Sequence, residues 1–590
     1  MITLVQHPDT LYDDLYVRET IDISGYRSLG GLQSTVSADE TGITGRLGRH
    51  CFRFETWAPG VMRLRFAPDA HLPPTSTTEE LGLLLNGVSG APLDWSYEEP
   101  LLRFRDGLIS VVFNTATADF EVRDAAGDCL LRSRNGGFRF ADGAPDVGPA
   151  YFAEFERLEE AYFGFGGRIM KPDRTGHTAD VFSVKTGKRS GDYGGFPLPY
   201  FISTRGYGLF LNNPWPHVYF DMGQTRRDSW FVHAPGGDCD LFVLAGPEFP
   251  DVIRRFTDMV GRIRTPVRWL LGFWCSSLGF ASADQAIADA RRLREERYPC
   301  DVFVFDGPWR SGRNFISVYA EGQDYPSCDF GWHPDFGDGP GMVRRLAELG
   351  IKTGLHINSR SFSPETAEDG LSRGLLRRQG KEVVPRVGVP EAETYYASLL
   401  VPRVAENIAL WWTDHSDRVS GELAPGIPSR NLLGPLWNRL ISSLMPNRDL
   451  SYPLSLSRGG GIGSQRFALP WPGDTRCGVD ALIDDIWFMI NAGLSGFPLT
   501  SVDLGGFAVR GEPLEDYAGP ADRDAEMFAD ENIARRVCQA ILYVPLPRIH
   551  NNWETTAKFP WHCSETLRPL YRQALEERYR LTPYWFSYAL

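Results

Sequence analysis

Several features that are common in other protein classes are missing from this 590-residue sequence. It has nine cysteines, an odd number, and no C-x-x-C pair, so we expect reduced thiols and a cytoplasmic location. The N-terminal segment lacks both a basic stretch and an apolar stretch, which argues against a signal peptide. No apolar run approaches the roughly 20 residues that cross a bilayer, so we expect no membrane partner.

Signals for phosphate, metal and nucleic-acid binding are equally scarce. The net charge of −14 repels nucleic-acid backbones, so we expect no nucleic-acid partner. The glycine run at 459–463 lacks a Walker lysine and predicts a tight turn. DFGDG at 335–339 lacks calcium-loop spacing, and the histidines are too dispersed for a zinc site. We therefore expect no metal and no organic cofactor.

The first part of the chain has the pattern of an antiparallel β protein. The length of the whole chain predicts two to four domains. In residues 1–262, short alternating runs such as CFRFETW and LLRFRDGLISVVF are separated by turn residues at intervals of about ten. This pattern predicts an N-terminal antiparallel β-sandwich.

Residues 263–590 instead alternate apolar runs with amphipathic helices. We predict eight strands, at 268–275, 300–306, 351–357, 408–414, 450–456, 466–471, 496–502 and 546–550. ADQAIADARRLREER and GPGMVRRLAELG are the clearest helices between them, and Gly350 suits a helix C-terminus. Eight strands, mostly joined by helices, predict a (β/α)8 TIM barrel.

Polar side chains follow these strands, at the end where barrel enzymes carry their chemistry. They are Asp306, Asp414, Arg458, Asp474, Asp503 and His550. Taken singly, Asp414 suits a helix N-cap, Arg458 an internal ion pair and His550 a core position. Acids that recur after apolar strands favour a shared site instead.

Two carboxylates flanking a pocket are the minimum for glycoside hydrolysis, one as nucleophile and one as acid/base in a retaining enzyme. Asp414 and Asp474 follow predicted strands four and six, whose ends can face each other across a barrel mouth. Trp412 and Trp471 offer apolar walls that would separate the two pKa values. Aromatic residues, 13% of the chain, also suit the C–H faces of sugars.

LPWPGDTRCGVDALIDDIWFMINAGLSGFPLTSVDLGGF, at 469–507, resembles the acid/base segment of glycoside hydrolase family 31, a family of retaining α-glucosidases and α-xylosidases. The residues that match in order are Trp471, Gly473, Asp474, Gly496, Pro498, Asp503, Gly505, Gly506 and Phe507. Five other segments resemble motifs of the same family and follow one another in the order that the family has. They are AYFGFGGR, YPCDVFVFDGPW, ALWWTDHSD, LSRGGGIGSQRF and PLPRIHNNW.

The resemblance implies roles for single residues. Asp414 is the expected nucleophile and Asp474 the expected acid/base. The residues expected at the substrate are Asp306, Arg458, His550, Trp412, Trp471, Trp309 and Asp503. We therefore expect a retaining hydrolase that removes a terminal α-linked sugar from an oligosaccharide or small glycoside by double displacement. A transglycosylase with the same site and a non-catalytic carbohydrate-binding protein on a decayed barrel are the alternatives, and a homo-oligomer stays open.

Departures from the family pattern leave the sugar undecided. Asp417 replaces a glutamate of the nucleophile segment, His415 is unusual there, and Gly167 stands where the family has a glutamate. CDFGWHPDF resembles a segment of the α-xylosidases. Arg310 and Arg313 would suit an anionic or crowded sugar, but arginines at such positions are more often surface charge. Glucose, xylose, galactose, N-acetylgalactosamine and sulfoquinovose all stay open. The family normally adds two small β domains after the barrel. The sequence ends at RLTPYWFSYAL, just past the predicted eighth helix, so these domains are either absent or lie outside this sequence.

Overall fold

The structure is a computed structural model. It describes residues 2–3, 20–21, 23–30, 34–68, 72–85, 87, 94–141, 148–183, 193–278, 280, 282–313, 327–360, 362–379, 382–418, 421–424, 427–428, 430–446, 451–475, 479–507, 531–551 and 558–589. The chain divides into two compact units, the first formed by 1–163, 173–181 and 199–259 and the second by 164–172, 182–198 and 260–590. The domain boundary between 262 and 263 stays a prediction.

Strands dominate the chain up to residue 245. They are β1 (Ile2–Thr3), β2 (Thr20–Ile21), β3 (Arg27–Ser28), β4 (Ser34–Ala38), β5 (Gly42–Leu47), β6 (His50–Ala58), β7 (Val61–Ala67), β8 (Asp94–Glu98), β9 (Leu101–Arg105), β10 (Ile109–Asn114), β11 (Phe120–Asp124), β12 (Cys129–Ala141), β13 (Ala150–Glu156), β14 (Tyr162–Ile169), β15 (Thr178–Val181), β16 (Tyr193–Ser203), β17 (Tyr207–Leu211), β18 (Val218–Asp221), β19 (Ser229–Ala234) and β20 (Cys239–Ala245). Helices α1 (Thr77–Glu80) and α2 (Phe249–Val260) accompany them.

The first unit contains two antiparallel sheets that pack face to face. One has the order β15-β18-β19-β13-β12-β11-β10-β9-β8, and the other includes β17-β20-β7-β6-β5-β4. Burial alternates along β10, as a strand with one covered face requires. Phe54 of β6 lies 5.2 Å from Phe104 of β9, and Phe66 of β7 lies 5.2 Å from Phe138 of β12, measured between ring centroids. These contacts between the sheets confirm the predicted β-sandwich.

The second unit contains the parallel strands and most helices. Its further strands are β21 (Trp274–Ser277), β22 (Val302–Phe305), β23 (Arg310–Arg313), β24 (Ser327–Trp332), β25 (Lys352–Asn358), β26 (Leu376–Gln379), β27 (Glu382–Pro385), β28 (Leu410–Asp414), β29 (Glu422–Ala424), β30 (Ile427–Pro428), β31 (Ser455–Ser457), β32 (Ala468–Pro470), β33 (Ser501–Leu504) and β34 (Leu546–Ile549). Its helices are α3 (Ala283–Glu295), α4 (Gly339–Glu348), α5 (Pro364–Ser372), α6 (Pro390–Val404), α7 (Leu433–Leu444), α8 (Val479–Leu494), α9 (Glu531–Tyr543), α10 (Arg568–Arg580) and α11 (Thr582–Ala589).

Eight parallel strands form a nearly closed barrel in the order β32-β31-β28-β25-β22-β21-β34-β33. This confirms the predicted TIM barrel, since each strand overlaps a predicted one and consecutive barrel strands are paired except β32 and β33, the two ends of the sheet. The register places Asn358 opposite Asp414, so the polar ends of β25 and β28 are level. Both predicted helices form, and Gly350, with a φ of 73°, follows the last turn of α4.

The first predicted barrel strand, 268–275, is wrong in its first half. Arg268–Leu271 forms a short 3-10 helix that buries Trp269, Leu270 and Leu271, and β21 begins only at Trp274. A short apolar run has the same hydrophobic pattern whether it forms a buried strand or a buried helical turn. Tertiary packing therefore decided this segment.

The described residues contain neither a membrane-spanning helix nor a group of side chains that could hold a metal ion. None of their helices is long and apolar enough to cross a membrane. Within the same part of the chain, no group of three or more His, Cys, Asp or Glu side chains could hold a metal ion. The cysteines described are free thiols, and Cys477 lies outside the described residues. The cytoplasmic location stays a prediction.

Candidate active site

The carboxyl ends of the barrel strands gather ionisable side chains. Asp306 directly follows β22, and Asp414 is the last residue of β28. Arg458 directly follows β31, Asp474 lies in the loop after β32, and His550 directly follows β34. Because all eight strands are parallel, these ends lie at one mouth of the barrel.

Asp414 is held by donors on both of its carboxylate oxygens. Its Oδ1 lies 2.5 Å from Nη2 of Arg458 and accepts the backbone N–H of His415 at 2.7 Å. Its Oδ2 lies 3.1 Å from Nε2 of His356 and 3.2 Å from Nε2 of His415. Donors at these positions favour the ionised carboxylate, the form that a nucleophile needs.

Arg458 joins both predicted catalytic carboxylates. Its side chain is 1% exposed, and besides Asp414 it donates from Nη1 to Oδ1 of Asp474 at 3.1 Å. Its Nε lies 3.3 Å from Oδ2 of Asp417, which is fully buried. Burial lowers the pKa of Arg458, but Asp414, Asp417 and Asp474 outweigh burial and raise it. The arginine therefore stays charged and holds three carboxylates around one guanidinium.

Asp474 differs from Asp414 in its surroundings. Its side chain is 17% exposed, against 8% for Asp414. It lies in an irregular loop, whereas Asp414 ends a hydrogen-bonded strand. A carboxyl group nearer to solvent is the better placed of the two to exchange a proton with an approaching substrate or water.

Asp306 and His550 form a second pair beside the first. Nε2 of His550 lies 3.3 Å from Oδ2 of Asp306, and Nδ1 of His550 lies 2.9 Å from Oγ of Ser276. The backbone N–H of Gly307 donates to Oδ1 of Asp306 at 2.6 Å. Burial raises the pKa of Asp306, but the imidazoles of His356 and His550 and this N–H outweigh it and lower the pKa. Asp306 is therefore an ionised acceptor suited to a sugar hydroxyl.

His356 connects the two pairs, although it was not among the residues predicted at the site. Its Nε2 bonds Asp414, and its Nδ1 lies 3.6 Å from Oδ1 of Asp306. The strand-end pattern that led to the acids also held the signal for His356, since it lies near the end of predicted strand three. A single histidine in an apolar run looks like a core residue until its two neighbours are known.

Four of the residues predicted at the substrate lie under the site. Trp309, Trp412, Trp471 and Asp503 are each at most 1% exposed. The ring centroids of Trp412 and Trp471 are 4.9 Å apart, and the Arg548 guanidinium lies over both rings. Asp503 accepts a hydrogen bond from Nε1 of Trp471 at 2.8 Å and one from Arg548. These side chains support the barrel mouth, and their contact with substrate stays a prediction.

Other residues noted in the sequence have structural contacts. Arg310 lies over the Phe330 ring and donates to the carbonyl of Cys328, an arrangement that stabilises the β23–β24 hairpin. The side chain of Arg313 lies outside the described residues. In the glycine run, a Cβ on Gly459 would collide with Oγ of Ser416. The absence of a side chain lets the loop after β31 approach the loop that follows Asp414.

Comparison with known proteins agrees with this barrel. The family model described as "Glycosyl hydrolases family 31 TIM-barrel domain" matches residues 263–588. An α-xylosidase of Emericella nidulans is 23% identical over 459 residues, 73% of this chain and 54% of the relative. An α-xylosidase of Saccharolobus solfataricus is 23% identical over 513 residues, 83% of this chain and 65% of the relative. The chain thus spans between half and two thirds of the length of these relatives.

Solved structures share the fold at low identity. A family 31 dextranase of Flavobacterium johnsoniae, complexed with glucose, has a TM-score of 0.82 at 18% identity, covering 95% of this chain and 70% of its own. A family 31 α-xylosidase from a soil metagenome, complexed with xylose, has a TM-score of 0.79 at 18% identity, covering 94% of this chain and 85% of its own. These likenesses agree in fold, and the family model, which matches residues 263–588 and so more than half of the sequence, shows that the chain belongs to glycoside hydrolase family 31.

Proposed function

We propose that this protein is a retaining α-glycoside hydrolase that removes a terminal α-linked sugar from an oligosaccharide or a small glycoside. The observation that carries the proposal is the unequal pair of carboxylates, Asp414 and Asp474, on the guanidinium of Arg458. The names of similar proteins, α-xylosidase and α-glucosidase, agree with this chemistry. Hydrolysis that retains the configuration of the anomeric carbon needs one ionised carboxylate as nucleophile and a second carboxyl group that gives and takes a proton.

The surroundings assign the two roles. Asp414 has donors on both oxygens and is the more buried, so it suits the permanently ionised nucleophile. Asp474 is more exposed, and an approaching glycosidic oxygen can reach it from the solvent side. Arg458 contacts both carboxylates, at 2.5 Å and 3.1 Å, and so holds them close to each other at one mouth of the barrel.

In the first step, an oxygen of Asp414 attacks the anomeric carbon while Asp474 gives its proton to the leaving oxygen. The C–O bond to the leaving group breaks, and a β-linked glycosyl ester of Asp414 forms. In the second step, Asp474 takes a proton from water, and the water oxygen bonds to the anomeric carbon. The electron pair of the ester bond returns to Asp414, and the released sugar has the α configuration.

Asp306 and His550 are suited to bind hydroxyl groups of the same sugar. The ionised carboxylate of Asp306 accepts hydrogen bonds, and His550 is oriented by Ser276 and Asp306. Hydrogen bonds that shorten as the ring flattens toward the oxocarbenium ion lower the barrier, whereas equal binding of both states does not. Replacement of either residue should therefore reduce kcat/KM.

Turnover of aryl α-glycosides tests the assignment of Asp414. Asp414→Ala should reduce kcat by at least about a thousandfold, because no covalent intermediate can form. Asp338→Ala is a matched control, since that exposed carboxylate caps α4 through the N–H of Gly341. It should leave kcat unchanged. An Asp414→Ala variant that keeps near-normal turnover would contradict the proposed site.

Product analysis separates hydrolysis from its alternatives. Proton NMR during early turnover should show the α-anomer of the released sugar before mutarotation. Products longer than the substrate at high donor concentration would identify a transglycosylase, in which a sugar replaces water in the second step. Binding of sugar without turnover would identify a non-catalytic carbohydrate-binding protein. A panel of α-glucoside, α-xyloside, α-galactoside, N-acetylgalactosaminide and sulfoquinovoside would name the sugar.

A further inference from the structure

His415, the residue directly after the proposed nucleophile, has an unusual backbone. Its φ is 65°, in the left-handed region that few residues other than glycine adopt, histidine being one of the types found there more often than most. Its backbone N–H donates to Oδ1 of Asp414 at 2.7 Å. The strained backbone and the buried ring together place the imidazole beside the carboxylate of the preceding residue.

Two arginines determine where the His415 ring carries its proton. Nη2 of Arg360 lies 2.8 Å from Nδ1 of His415, and Nη2 of Arg458 lies 3.0 Å from the same atom. A guanidinium group has only donors, so Nδ1 must accept, and the neutral ring carries its proton on Nε2. Protonation of Nδ1 would direct an N–H at two cations. Glu382 lies 2.5 Å from Nη1 of Arg360 and orients that arginine.

His356 provides the contrast. Both histidines place Nε2 near Oδ2 of Asp414, at 3.1 Å for His356 and 3.2 Å for His415. Behind His356, however, Nδ1 faces the carboxylate of Asp306 at 3.6 Å. The two arginines at Nδ1 of His415 therefore favour the tautomer that carries its proton on Nε2. At Nδ1 of His356 a carboxylate takes the place of these cations.

We propose that His415 is a positioning residue that holds a neutral Nε2–H against Oδ2 of Asp414 and speeds hydrolysis of the glycosyl-enzyme. The inference rests on the proposed function. In the second step, the bond between the anomeric carbon and Asp414 breaks, and its electron pair becomes carboxylate charge. A donor at the carboxylate stabilises this developing charge. In the first step the same charge is lost, so the donor gives no advantage there.

The test separates the two steps. His415→Asn keeps an acceptor for the arginines and tolerates the left-handed backbone, but its side chain is too short to replace Nε2–H. With an aryl α-glycoside that has a good leaving group, kcat should fall by about tenfold or more, while kcat/KM changes by less than about threefold. A burst of aryl alcohol before the steady state should appear or grow, because the glycosyl-enzyme accumulates.

His415→Gly provides a second variant in case the first fails to fold, because glycine adopts this φ without strain. His333→Asn is the matched control for loss of an imidazole, since His333 caps a turn outside the site, and its burst and kcat should match the wild type. Equal losses in kcat and kcat/KM without a burst, or no change at all, would overturn the proposal for His415. If Asp414→Ala keeps its turnover, the proposed function fails instead.

Discussion

Each of the two units buries an arginine that binds three carboxylates, but the two clusters are built differently. In the Arg63 cluster (Arg63, Glu55, Glu79 and Asp240), Nε and Nη2 of Arg63 donate to the two oxygens of Asp240 at 2.8 and 2.7 Å. Glu79 also accepts from Nη2 at 2.6 Å and from the backbone of Ser76 at 2.8 Å. Carboxylates on several sides of the Arg63 guanidinium therefore balance its charge.

In the Arg458 cluster (Arg458, Asp414, Asp417 and Asp474), each carboxylate presents one oxygen to the guanidinium. The three acids come from loops and strand ends at the barrel mouth, and Asp474 is partly exposed. An arginine with three acids is therefore no sign of a catalytic site by itself. The position in the fold distinguishes the two clusters, since the Arg458 cluster lies where barrel strands end and includes both predicted catalytic carboxylates.

The largest expected difference between the clusters concerns activity. Asp474→Ala should reduce kcat/KM by at least about a thousandfold for substrates with poor leaving groups, because the leaving oxygen receives no proton. The melting temperature should stay unchanged or rise, since the variant removes one of three like charges around Arg458. Azide should restore turnover of an activated substrate. A large loss of stability with little loss of activity would assign Asp474 a structural role.

Asp240→Asn should produce the opposite result. Its carboxylate is fully buried and paired with Arg63, so we expect the free energy of unfolding to fall by about 3–5 kcal/mol. Denaturant unfolding would measure the loss, and kcat per folded molecule should match the wild type. A change in kcat at full folding would show that the Arg63 cluster contributes to the reaction.

Asp306→Asn tests the second pair at the barrel mouth. Loss of the ionised acceptor should reduce kcat/KM by about ten- to a hundredfold. The pKa of Asp306 is lowered in the folded protein, so its stabilising contribution is present at neutral pH and is lost as the pH falls through that lowered pKa. The difference in stability between variant and wild type should therefore shrink at acidic pH. If the difference in stability between variant and wild type stayed constant from neutral to acidic pH, the lowered pKa of Asp306 would be contradicted.

The smallest expected effect lies on α3. Burial raises the pKa of Asp289 to about 6, so the folded protein loses stability as the pH rises from about 4 through 6. Asp289→Asn should increase the free energy of unfolding by about 1 kcal/mol at pH 8 and by almost nothing at pH 4. Asp284→Asn, which changes an exposed carboxylate of the same helix, should show no such pH-dependent gain.

The candidate site was predictable in part because strand ends are local features. An apolar run followed by Asp306 or Asp414 is visible in the letters, and parallel strands bring such ends together. His356 has the same kind of position, but its importance depends on lying between two carboxylates that are distant in sequence. The tautomer of His415 likewise depends on Arg360 and Arg458, which no local pattern connects.

Local periodicity was enough to predict two architectures, the β-sandwich and the barrel, because the alternation of apolar and polar side chains is a property of the chain alone. The order of short motifs, not periodicity, indicated the family. Periodicity was not enough for Arg268–Leu271, whose apolar run became a 3-10 helix through packing. Nor did it separate the acids that face the barrel mouth from Asp503, which is paired with Arg548 beneath it. Burial, pairing and proton position arise from contacts between distant residues, and only the tertiary structure brings those residues together.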